Sequence, residues 1–94
     1  MSFITMIELT YTEVRTEIIE EEELYEALQT AWEEDGNSIE TIDELKNCWK
    51  VYECDILDNL YSIWTTSDIE DSNLNEILTP EFWDKFYEYI ENEN

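Results

Sequence analysis

The chain has 94 residues, of which 26 are Asp or Glu and only four are Lys or Arg, giving a formal net charge of −22 with no His. A charge magnitude of roughly 2 to 8 is enough to keep a small domain in solution, so solubility does not account for it. The commonest general base and metal ligand is missing and no Gly-rich loop exists to cradle a phosphate, so no enzyme is expected; a content of 43% hydrophobic and 14% aromatic residues equally excludes the aromatic-poor acidic chain that stays disordered.

The opening segment, MSFITMIEL, has no basic leader region, and no stretch approaches the roughly 20 apolar residues of a membrane span. A soluble cytoplasmic protein without membrane contact is expected. Over Ser2 to Ile19 the residues Ile7, Tyr11, Val14 and Ile18 keep helical spacing, which favours a helix. The same segment is rich in Thr and Ile, so a short strand is the alternative. The stripe loses a step at Glu21 or Glu22 and resumes through Tyr25, Leu28 and Trp32. This predicts a helix from about Glu20 to Glu34 that packs Leu24, Ala27, Leu28 and Ala31.

Next comes "EEDGNSIETIDE", in which Glu33, Asp35, Asn37 and Glu44 fall at positions 1, 3, 5 and 12 of a helix–loop–helix calcium loop. The pattern departs at its first position, at Ser38 where the sharp turn needs Gly, and at Glu40 where an apolar residue belongs. An Asp-Gly-Asn turn between two helices explains the same letters, so no metal or other cofactor is expected. Thr41-Ile42-Asp43-Glu44 fits a capping box, and Ile42, Leu45, Trp49, Tyr52, Ile56, Leu60 and Ile63 then recur at spacings of three and four. That predicts a helix over 42–65, with a break near Asp55 as the alternative. Asp43, Glu44, Asp55 and Asp58 fall on its outer side. Leu57, Tyr61 and Trp64 widen its apolar face beyond what one partner helix covers, which makes them a candidate homodimer contact.

Cys48 and Cys54 are six positions apart, about 9 Å of helical rise, which is beyond disulfide reach and consistent with reduced thiols. Neither has a His or a basic cluster to make it reactive. Residues 65–75 are polar and read as a loop. Thr79-Pro80 places a cap residue before a proline at the first helical position, opening a helix with Phe82, Trp83, Phe86, Tyr87, Tyr89 and Ile90 on one broad face. Glu81, Asp84, Glu88 and Glu91 take the opposite face. The expected fold is mainly α: one domain over 1–94, a small bundle of three to four helices with a core from the stripes of 24–32, 42–63 and 82–90.

The charge itself is the strongest functional feature. "EIIEEEELYEALQTAWEEDG", residues 17–36, holds nine carboxylates and no Lys or Arg. A helix over 20–34 turns Glu22, Glu23, Glu26 and Glu33 outward, neighbours three or four apart lying roughly 5–6 Å from each other. An ordinary solvated face intermixes Lys and Arg, and here they are missing. A 94-residue globule has a gyration radius of about 12 Å and a diameter near 32 Å; duplex DNA of that length carries roughly 19 phosphate charges, comparable with −22.

In size, charge, aromatic richness and lack of catalytic residues the whole chain resembles the small acidic DNA-mimic inhibitors made by phages, the anti-restriction and anti-CRISPR proteins. No sequence motif carries the resemblance. It implies a binder that blocks the basic DNA site of a host defence nuclease or effector and does not itself bind nucleic acid. On that reading Glu20, Glu21, Glu22, Glu23, Glu26, Glu33, Glu34 and Asp35, with Asp43 and Glu44 on the adjoining helix, supply most of the contact. An immunity or antitoxin protein that neutralises a basic nuclease has much the same composition and is the main alternative, ahead of a chaperone of histone-like proteins and a calcium binder.

Overall fold

The computed structural model describes residues 5–12, 15–61 and 72–93. The N-terminal segment is a β-hairpin, not the favoured helix: β1 (Met6–Thr12) pairs antiparallel with β2 (Arg15–Glu20), in the register Ile7 with Ile19, Glu8 with Ile18 and Leu9 with Glu17. A period of two wins because it buries Leu9 and Ile19, with Ile7 packed against the core, and turns Met6, Glu8 and Ile18 outward. The helical reading paired Ile7 with Ile18. In the hairpin these two lie on opposite faces, and Ile18 is 65% exposed.

β2 runs straight into α1 (Glu21–Glu34). Glu20 has extended backbone, and the Glu23 carboxylate reaches back to accept the Glu20 N–H at 2.9 Å, as the third residue of a capping box does. The Glu21 N–H donates to the Thr5 carbonyl at 2.7 Å. Leu24, Tyr25, Ala27, Leu28, Ala31 and Trp32 form the buried face, as the spacing predicts. At the far end Gly36 adopts φ +86°, the left-handed conformation that stops a helix, and its N–H donates to the Glu33 carbonyl at 3.0 Å.

The single helix expected over 42–65 is several shorter pieces. A 3₁₀ turn (Ile39–Glu44) leads into α2 (Leu45–Cys48), a second 3₁₀ turn (Trp49–Tyr52) and α3 (Glu53–Tyr61). The cap is Ser38, not Thr41: the Ser38 hydroxyl accepts the Glu40 N–H at 3.2 Å, while Thr41 bends out of helical geometry and donates its hydroxyl to the Ser38 carbonyl at 2.9 Å. Ile39, Ile42, Leu45 and Cys48 are spaced by three, which three residues per turn keeps on one side and an α-helix does not. Ile42 and Leu45 are buried there, and Ile39 and Cys48 pack partly against the core. The backbone breaks again at Cys48 (φ −136°), before Asp55, and leaves Val51 79% exposed. Leu57, expected to be left over for a second copy, is fully buried. The side chain of Tyr61, together with Ile63, Trp64 and most of the 65–75 loop, lies outside the described residues.

α4 (Leu74–Ile77) is a single turn where loop was expected to reach residue 75, and α5 (Pro80–Glu93) follows. Thr79 caps α5 as expected, its hydroxyl accepting the Phe82 N–H at 3.2 Å. α1 packs most extensively on α3, and Tyr25 stacks into α5 with its ring 5.3 Å from Phe82 and 5.0 Å from Tyr89. Leu74 and Leu78, absent from the expected core, close it beneath the hairpin together with Leu9. Among the described residues no polar or charged side chain is buried, and no helix is long and apolar enough to cross a membrane.

Candidate functional site

Helix α1 presents its carboxylates as its period dictates. Glu22, Glu26 and Glu33 follow one outward row with Gln29, whose amide donates to the Glu33 carboxylate at 2.9 Å. Glu23 and Glu34 flank that row and are also exposed, as are Asp35, Asp43 and Glu44; Glu20 and Glu21 are partly covered. Among the described residues one ion pair stands, Lys50 with Glu53 at 3.2 Å, and it is remote in sequence from the α1 row. Among the described residues no base pairs with the row.

Packing brings further carboxylates to this surface from α5, a part of the chain outside the expected contact set. The Tyr25 hydroxyl donates to Glu21, and the charges of Glu21, Glu22 and Glu88 surround it. Burial first, then the bond to Glu21 and these charges, hold the phenol of Tyr25 well above its ordinary value. Tyr87 does the same at the next junction: its hydroxyl donates to the Asp43 carbonyl at 3.1 Å, and burial with the charges of Asp43 and Asp84 raises its pKa. Asp84 and Glu88 thus join Glu21, Glu22 and Asp43 through two tyrosines. The outward face of α5 was legible in the sequence, but which element it abuts depends on aromatic packing across α1.

The four calcium candidates are directed elsewhere. Asp35 accepts from the Tyr52 hydroxyl at 2.7 Å, and Asn37 donates to the Trp32 carbonyl at 3.2 Å and to the Tyr52 oxygen at 3.1 Å. The bond to Asp35 raises the Tyr52 pKa, followed by burial, against a lowering contribution from Asn37. Glu33 engages Gln29, while Glu44 sits where the 3₁₀ turn meets α2 and its carbonyl accepts from the Cys48 thiol at 3.4 Å. The turn brings Asp35 and Asn37 together, around a tyrosine. Among the described residues no group of three or more His, Cys, Asp or Glu is placed to hold a metal. Both cysteines are free and half-buried.

The chain matches no protein-family model, no curated protein and no solved structure.

Proposed function

We propose that this protein is a DNA mimic: an inhibitor that occupies the basic DNA-binding site of a host defence nuclease or effector, a restriction enzyme or a CRISPR effector, in the cytoplasm of the cell. The observation that carries the reading is the match of charge to length. The molecule measures 36 × 35 × 21 Å, and duplex DNA 36 Å long carries about 21 phosphate charges, against a net −22 here. Glu21, Glu22, Glu23, Glu26, Glu33 and Glu34 ride on one helix packed over an apolar core, which holds their spacing. A groove built for DNA gains the same counterion-release free energy from any rigid body of that charge density. Inhibition by occupancy needs no catalytic group and no cofactor.

The partner is to be found by native pulldown from a lysate of a restriction- or CRISPR-bearing host. Competition with DNA on that partner then tests the mechanism. Binding of protein and DNA is expected to be mutually exclusive and to weaken steeply with salt. A stable ternary complex with unchanged DNA affinity overturns the reading. Reversing Glu26, Glu33, Glu34 and Asp43 together to Lys is expected to abolish binding, although each exposed carboxylate alone contributes roughly 0–1 kcal/mol.

A further inference from the structure

The hairpin has two edges, and they are finished differently. On the β1 side Asn73 acts as a surrogate strand: the Thr10 N–H donates to its side-chain carbonyl at 2.9 Å, its own N–H donates to the Thr10 carbonyl at 3.0 Å, and its amide donates to the Glu8 carbonyl at 3.0 Å. Glu8 and Thr10 therefore point their backbone groups away from β2. In an antiparallel ladder the residue opposite such a position also points its groups away. Ile18 is opposite Glu8, so its N–H and C=O face out of the β2 edge, and no hydrogen bond to a described residue covers them.

Beside this edge lies an open groove of about 500 Å³, walled by β2 at Ile18 and Ile19, by α1 at Glu23, Glu26 and Ala27, and by α3 at Leu60. We infer that the β2 edge and this groove capture an extended basic segment of a partner protein as a third strand. Its Lys and Arg heads reach Glu23 and Glu26 while their aliphatic stems cover the half-buried Leu60, and its outward apolar residues lie beside Ile18. Charge selects this occupant over a second copy of the chain. An edge-to-edge pair of copies brings Glu20, Glu23 and Glu26 of both into one place, and like charges there oppose pairing. β2 has six residues, about 20 Å of strand, but the outward N–H of Glu20 is taken by Glu23, so the captured segment pairs at Ile18 and runs toward the start of β2. The inference deepens the DNA-mimic reading by naming how part of a basic partner is held, and its test needs no partner.

The probe is the peptide Lys-Val-Lys-Val-Lys-Val, titrated into the full chain and followed by amide chemical shifts. The Ile18 amide is expected to shift on saturation and to gain protection from hydrogen exchange. Ile18→Pro removes the outward N–H without cutting a ladder bond to β1, and is expected to weaken binding about tenfold. Alternate N-methylation of the peptide backbone, which leaves the protein untouched, is expected to do the same. Glu23→Gln with Glu26→Gln is expected to weaken binding further. Binding that is indifferent to N-methylation, or shifts spread over the whole surface without Ile18, would mean charge attraction alone and overturns the inference. A ternary complex with DNA, by contrast, removes the mimic mechanism and leaves the strand capture standing.

Discussion

The two ends of α1 carry similar numbers of carboxylates in opposite electrostatic settings. At the start, Glu21, Glu22 and Glu23 sit in the first turn, where the helix dipole favours negative charge, Glu23 accepts the Glu20 N–H, and Glu21 accepts from Tyr25. At the finish, Glu33, Glu34 and Asp35 face the negative end of the dipole and the last turn holds no base. The first group has sufficient reason in the helix itself. The second is unfavourable locally and has no such reason within the helix. What keeps that end in place is apolar: Trp32 is buried, its indole N–H donates to the Ser38 carbonyl at 2.9 Å, and its ring meets Tyr52 edge-on at 5.6 Å.

Breaking the anchor is the largest expected effect. Trp32→Ala should lower the free energy of unfolding by about 3–5 kcal/mol in urea titrations, and a loss below about 1 kcal/mol would mean that the acidic end holds itself. At the other end Tyr25→Phe removes the bond to Glu21 and should cost about 1 kcal/mol at neutral pH. Its pH profile sharpens the contrast. The folded phenol of Tyr25 is raised above the unfolded value near 10, so its contribution is whole below about pH 10 and is lost as pH rises beyond it. Melting temperatures of the native chain and of Tyr25→Phe should therefore converge above pH 10, and parallel profiles would remove the phenol from the account.

Self-repulsion is screened over about 8 Å at physiological salt, so melting temperature should climb by several degrees between about 20 and 300 mM monovalent salt. A flat profile would mean that bound cations already neutralise the array. The smallest effect isolates the dipole. Glu34→Lys and Glu22→Lys change the net charge equally, yet the variant at the helix end should be the more stable by about 0.5–1 kcal/mol, and equal stabilities would remove the asymmetry.

Where the sequence carried one clear period, it disclosed the structure. The buried faces of α1 and α5 and the Thr79 cap follow from their spacing and chemistry alone. At the N-terminus a strand was legible from the Thr and Ile content only as the alternative, because Ile7, Tyr11, Val14 and Ile18 satisfy a helical spacing by coincidence, and the residues at 13 and 14, Glu and Val, lack the Asn-Gly or Asp-Gly that marks a tight turn. The 3₁₀ path from Ile39 was visible as a run of threes, but it was absorbed into the longer pattern beginning at Ile42. For the candidate site, outward direction was legible and adjacency was not. Glu88 meets Glu21 and Glu22 only because Tyr25 stacks on Phe82 and Tyr89.

The Asn73 bridge also sets an order of events in time. It joins Thr10 across 63 positions, and closing such a loop costs on the order of 4 kcal/mol in chain entropy beyond a constant, whereas the caps of α1 and α5 close within a few residues. Local helices and the contact of Trp32 with Tyr52 can form before that closure, whereas the bridge, like the equally distant contact of Tyr25 with Phe82, is expected in the late part of folding. An interaction of that kind governs the rate of leaving the native state more than the rate of reaching it. The lifetime of the sealed β1 edge, and with it the interval during which the nascent hairpin offers both edges to other chains, is thus expected to depend on an asparagine far away in sequence.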